Sequence, residues 1–155
     1  MDFIASITVF ILMFSIVVFS WNYVNTQNAE KSTFNEIQTL GLDISDILVR
    51  VPGNPEDWNE STVTSIGLAT RENVLDKDKV DRFISMNYSQ SRALMGLPGM
   101  DFYFTLEYLN GTTIQYKGKN MTAGSYPVNA SISVPVLRPV LFGKTPAKLR
   151  LVIYV

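Results

Sequence analysis

Residues 3–24 read FIASITVFILMFSIVVFSWNYV and carry no charged side chain. At helical rise this run spans about 33 Å, enough for a bilayer core of about 30 Å. Phe10 and Phe14 lie inside it as apolar anchors, and Trp21 and Tyr23 close it. Aromatic rings with a polar edge favour the membrane–water interface. A signal-peptide h-region is shorter, follows a cationic stretch and precedes a small-residue cleavage site. Here nothing basic precedes Phe3, and Trp21-Asn22-Tyr23 follows the run. The competing reading is a buried core helix. The expectation is a retained helix, in a membrane or at a filament core.

The helical pattern continues past the apolar run. Phe34, Ile37, Leu40, Ile44, Ile47, Leu48 and Val51 recur at steps of three and four, while Glu36, Gln38, Asp43, Asp46 and Arg50 take the other side. Such a stripe marks an amphipathic helix that lies on a partner. Proline first appears at Pro52, so one long helix, or two nearly continuous ones, is expected from Phe3 to Arg50. This gives three segments: 1–24, a transmembrane or filament-core helix; 25–51, its amphipathic continuation; and 52–155, an extracytoplasmic head.

Val51-Pro52-Gly53-Asn54-Pro55 stacks helix breakers. A loop-rich connection should follow to Arg71, with Trp58 as a partly buried anchor. Asp76 before Val80, Phe83 and Ile84 predicts a short helix opened by an acid, which the helix dipole favours. Ser89 to Leu97 is expected to form another. From Asp101 the period becomes two, with Phe102, Phe104, Leu106 and Tyr108 alternating with Tyr103, Thr105, Glu107 and Leu109. Asn110-Gly111 then signals a hairpin, with Thr112 to Lys117 as the return strand. Ser131 to Val136 reads as a strand that Pro135 and Pro139 demote to an edge or bend. Leu149 to Val155 reads as a closing strand. A long helix, short helices and then an antiparallel sheet make an α+β fold class, with the helix packed on a small antiparallel sheet.

Composition narrows the chemistry. The chain has no cysteine and no histidine. Disulfides, thiolate sites and the commonest general base and metal ligand are thereby excluded. A net charge of −1 with 13 scattered basic residues leaves no footprint for nucleic acid. No phosphate-binding glycine loop or metal signature is present, so the expectation is a protein that is not an enzyme, with no cofactor and no metal. Asp76, Asp78 and Asp81 lack the downstream glycine and glutamate of a calcium loop and read as a capped, solvated helix start. The run Phe102-Tyr103-Phe104 with Tyr108 could form a stacking platform for bases or sugars. Strand alternation explains it more simply as core and sheet surface.

Five Asn-x-Ser/Thr sequons occur, at Asn59, Asn87, Asn110, Asn120 and Asn129, all after the apolar run. The 11 asparagines and 25 serines plus threonines would give about two by chance. The sequons favour an exposed, extracytoplasmic head with at least one glycan. They also carry the expected orientation: N-terminus cytoplasmic, residues from about Asn25 onward outside.

Pro52-Gly53-Asn54-Pro55-Glu56-Asp57-Trp58 followed by Ser65-Ile66-Gly67-Leu68-Ala69 resembles a pattern recurring in archaeal type IV pilin-like proteins. Leu94 to Phe104 and the C-terminal Leu149 to Val155 look similar too, so the likeness runs over nearly the whole chain. Pro55, Trp58, Ile66, Gly67 and Leu68 carry the moderately specific block. In that family a prepilin-type peptidase processes the chain, and the N-terminal helix is both anchor and filament core. Met1-Asp2-Phe3 resembles the acid-plus-aromatic pair a few residues into the mature family sequence. The family's basic, glycine-ending processing segment does not appear here. The resemblance implies an assembly role for Asp2 and Phe3, with Asp2 neutralising a neighbouring subunit's N-terminal amine. It also implies membrane lipid, copies of this chain or other pilin-like subunits, an assembly platform protein and an ATPase as partners. The expected function is a structural subunit of a cell-surface filament or related machine. The alternative is a permanently anchored binding module whose head never polymerises.

Overall fold

The computed structural model describes residues 2–155, apart from the side chains of Asp2 and of residues 27–30. Helix α1 runs Asp2–Arg50. The chain divides into two compact units, Met1–Glu36 and Ile37–Val155.

The second unit is α+β. After α1 come β1 (Ala69–Arg71), β2 (Val74–Leu75), α2 (Lys77–Ser85), α3 (Tyr88–Leu94), β3 (Asp101–Tyr108), β4 (Gln115–Tyr116), β5 (Lys119–Asn120), β6 (Thr122–Gly124), β7 (Ser133–Phe142) and β8 (Thr145–Tyr154). One six-stranded sheet has the order β1-β2-β7-β8-β3-β6, and β4 and β5 form a separate pair. Among the described residues, only β2 and β7 pair in parallel. Helical residues 37–50, α2 and α3 cover one face of the sheet. Phe83 of α2 meets Phe104 edge to face at 5.2 Å, and Tyr88 of α3 stacks on Phe102 at 5.3 Å. Offset and edge-on pairs of this kind add about 0.5–1.5 kcal/mol beyond the area they bury.

The buried face of α1 in this unit differs from the expected stripe. Ile37, Gly41, Ile44, Ser45, Leu48 and Val49 are buried, whereas Ile47 and Val51, like Phe34, are exposed and Leu40 is half-buried. The cause is close approach. A Cβ on Gly41 would stand 3.0 Å from the Val136 side chain. Ser45 Oγ donates to Leu42 O at 2.8 Å and accepts from Arg138 Nε at 2.9 Å. Small and polar residues therefore form the seam, which a count of large apolar residues misses.

The strands also correct the sequence expectations. The chain turns back at Asn110-Gly111 and runs beside β3 only as far as Ile114, whose N–H reaches Leu106 O at 2.8 Å. It then leaves as the β4–β5 hairpin, turned at Lys117 (φ 50°) and Gly118 (φ 76°). It rejoins β3 through Met121 and β6. Two successive positive-φ residues suit the right-handed twist of a tight hairpin, but Lys-Gly is a weaker cue than Asn-Gly. Strand β7 is longer than expected and pairs along its whole length with β8 across a turn at Gly143-Lys144. Its prolines fit because backbone direction alternates. Leu141 N–H points away from β8, to Asn73 O at 2.8 Å. Pro135 and Pro139 share that parity, so the N–H groups they lack belong to the side that is mostly open. Helix α3 is shorter than expected and ends before Gly96, where φ is 69°.

Candidate membrane segment and head surface

Within the first unit, the side chains of residues 3–24 are exposed throughout. The helix is long and apolar enough to cross a membrane. Two of its hydroxyls bond within the helix: Thr8 Oγ1 donates to Ile4 O at 2.9 Å and Ser15 Oγ to Ile11 O at 2.8 Å. Such back-bonding removes the cost of carrying a hydroxyl into a dry environment. Phe10 and Phe14, one helical turn apart, stack at 6.3 Å. Trp21 and Tyr23 are exposed at the end of the run, and Phe3 at its start. The expected partner of Phe3 in assembly, the Asp2 side chain, lies outside the described residues.

The residues behind the family likeness come together in the second unit, where α1 ends. Trp58 is fully buried, deeper than the partly buried anchor expected, and its indole N–H donates to Gly67 O at 3.0 Å. Gly53 faces that indole, and a Cβ on Gly67 would collide with Val51 O and the Gly53 backbone. Leu68 N–H reaches Leu48 O at 3.1 Å and Ala69 N–H reaches Val51 O at 3.2 Å, satisfying carbonyls that a helix end leaves open. Lys79 is almost fully buried and donates to Pro52 O at 2.9 Å and Ala69 O at 3.4 Å. Ile66 and Leu68 fill the core beside them. Pro55, half-buried, follows a cis peptide from Asn54. The cluster closes the C-terminal end of α1. Lys79 was missed because Asp76-Lys77-Asp78-Lys79 reads as a solvated charge run.

All five sequon asparagines are exposed. Asn59 Oδ1 accepts from the N–H groups of Ser61 and Thr62, Asn87 Oδ1 from Ser89 N–H, and Asn110 Oδ1 from Thr112 N–H. Asn120 Oδ1 accepts from Gln115 Nε2, and Asn129 has φ 61°. These turn and capping bonds use the oxygen, not the amide nitrogen that a glycan would occupy.

The acids of the α2 start are engaged with the protein. Asp76 caps the helix by accepting from Asp78 and Lys79 N–H at 2.8 and 3.0 Å. Asp78 and Asp81 hold Lys117 of the β4–β5 turn at 2.9 and 3.2 Å. The Lys117 bond keeps the Asp78 carboxyl below its usual range, and the same partners push the Lys117 ammonium up. At Asp101, the Tyr88 hydroxyl at 2.6 Å and Arg92 at 2.9 Å together hold the carboxyl low. Burial, helped by that carboxylate, pushes the Tyr88 hydroxyl up to about 12.

No family model, curated protein or solved structure matches this chain.

The run Phe102-Tyr103-Phe104 divides between the two faces of the sheet. Phe102 and Phe104 are core, as alternation predicts, while Tyr103 points to the other face and meets Tyr126 edge to face at 5.2 Å and 76°. Tyr126 lies in the loop after β6, where no periodicity marks it. On the same outer face, Glu107 is nine-tenths buried and pairs with Arg150 at 3.2 Å and Lys148 at 4.0 Å. Tyr108, the fourth aromatic of the expected platform, is exposed at the far end of β3.

Proposed function

We propose that this chain is a pilin-like subunit of a cell-surface filament or related assembly machine, anchored by its N-terminal helix with the head outside the cell. One observation carries the reading: residues 3–24 form a charge-free helix, long enough to cross a bilayer, whose apolar side chains are all exposed. That surface needs a dry environment. Lipid supplies one, and so does a bundle of the same helix from other copies, because van der Waals packing decides between two apolar surroundings. An assembly platform and an ATPase would move the helix from the first to the second. The five exposed sequons support an outside head, and we propose that at least one carries a glycan.

The test is to shear surface filaments from native cells and search the filament and membrane fractions for this chain by mass spectrometry. Enrichment in filaments, with glycan mass on a sequon peptide, is the expected result. Recovery only in membranes would replace this reading with the anchored binding module, which the exposed Tyr126 pair favours. Labelling intact cells with a membrane-impermeant amine reagent checks orientation, and protection of the head lysines would overturn it.

A further inference from the structure

We propose that the corner between Tyr103 and Tyr126, on the face of the sheet opposite the helices, binds a neutral saccharide through one pyranose ring. Tyr126 is 67% exposed and the neighbouring Val128 71%, among the most exposed large apolar side chains of the head. Exposed aromatics in a loose loop would mean little, but this loop is fixed. Gly124, at φ 86°, turns the chain where any Cβ would strike Phe102 O. Ser125 N–H then donates to Phe102 O at 3.0 Å, and Ser125 O accepts from the Tyr154 hydroxyl at 2.9 Å. Val128 N–H closes on Tyr126 O at 2.8 Å. The backbone that carries Tyr126 is therefore fixed on both sides, and the ring rests against Tyr103, which lowers the ordering cost left for a ligand.

Two rings at 76° offer one π-face and one ring edge to the same ligand. A pyranose has an apolar C–H face that suits the negative π-face, and a rim of hydroxyls that needs donors and acceptors. The rim chemistry lies next along the strands. Tyr103 pairs with Val152, and Thr105 with Arg150, so Arg150 is a diagonal neighbour of Tyr103 at roughly 7–8 Å. Arg150 is 42% exposed, and both its Nε and Nη2 lie within 3.3 Å of Glu107. Glu107 is buried beneath the pair, so the half-exposed guanidinium is the donor left to a ligand, with its charge already met by a carboxylate. Neutral hydroxyls fit that arrangement. A nucleic-acid backbone would need free cations, and the chain has net charge −1. Saccharide binding here is independent of whether the chain polymerises.

The experiment uses the full chain in a zwitterionic detergent, since sugar-headed detergents would compete. Cellotetraose, mannotetraose and chitotetraose are each titrated, with saturation-transfer NMR to show which protons touch the protein. At least one should bind, with Kd on the order of 1 mM. Tyr126→Ala should weaken it about tenfold, or about 1.4 kcal/mol, with an unchanged unfolding midpoint. Arg150→Gln should also weaken it, and Tyr108→Ala should not. Absence of binding by all three sugars overturns the proposal, as does binding that survives Tyr126→Ala. Tighter binding of single-stranded oligothymidine would assign the corner to nucleic acid instead.

Discussion

Residues 3–24 and 37–50 belong to one helix, yet they use opposite kinds of side chain for opposite ends. The first stretch is apolar on every side and exposed on every side. The second is mixed in composition, but its buried face includes Gly41 and Ser45 and excludes the large Ile47. Hydrophobicity therefore marks where a helix meets an environment outside the chain. Size and hydrogen bonding mark where it meets its own sheet. The solvent a helix must match can be read from composition, whereas a fitted protein surface selects for shape.

The comparison breaks first if the apolar stretch can be made polar without consequence. Replacing both Phe10 and Phe14 with Asp should release the chain from membranes, because each buried acid costs about 2.5–3.5 kcal/mol at mid-bilayer. The head's thermal unfolding midpoint should stay unchanged. Fractionation of cells expressing the variant, with a melting curve of the same protein, reads both effects.

Trp58→Ala is expected to do the reverse, costing the head about 3–5 kcal/mol while leaving membrane partition alone. The indole is fully buried, and its N–H holds Gly67 O. Chemical denaturation measures this loss, and a shift under about 1 kcal/mol would mean that the end of α1 closes without it.

The Tyr88–Asp101–Arg92 group gives the head a pH signature that the apolar stretch lacks. Asp101 has a depressed folded-state value, so its contribution is present above the unfolded value of about 4 and is lost as pH falls through the lower folded one. Tyr88 is raised, so its contribution is complete below about 10 and is lost as pH rises through about 12. Melting curves across pH should show both flanks, and Asp101→Asn should flatten the acid one. Because Asp101 is partly exposed, the change should be smaller than that of Trp58→Ala.

Ile47→Ser should have the smallest effect, within about 0.5 kcal/mol of wild type, although Ile47 fits the sequence stripe as well as Ile44 does. Ile44→Ala serves as the buried counterpart and should cost about 2–5 kcal/mol. Equal losses at the two positions would return the helix to the face that periodicity chose.

Much of the architecture was legible because local rules and tertiary demands agree. The proline-free run to Arg50, the acid before α2, and the alternation from Phe102 to Leu106 were each sufficient for their elements. The candidate surfaces were legible more unevenly. The apolar segment and the sequons are linear signals. Tyr126 is not, because its meaning comes from Tyr103, brought to it by the bend at Gly124. Lys79 hid in a charge run for the same reason: its partners, Pro52 O and Ala69 O, are distant in sequence.

The sequence by itself determined the helix, its charge-free start, the α+β class and the alternation that splits the sheet into two faces. Each follows from covalent periodicity and from the cost of placing polar groups in dry surroundings, which act residue by residue. The tertiary structure alone decided which face of α1 is buried, how β3 shares its edge with a hairpin excursion, and which aromatics stand outside the core. Those outcomes depend on distances between segments far apart in the chain, where a missing Cβ at Gly41 or Gly124 settles what can approach.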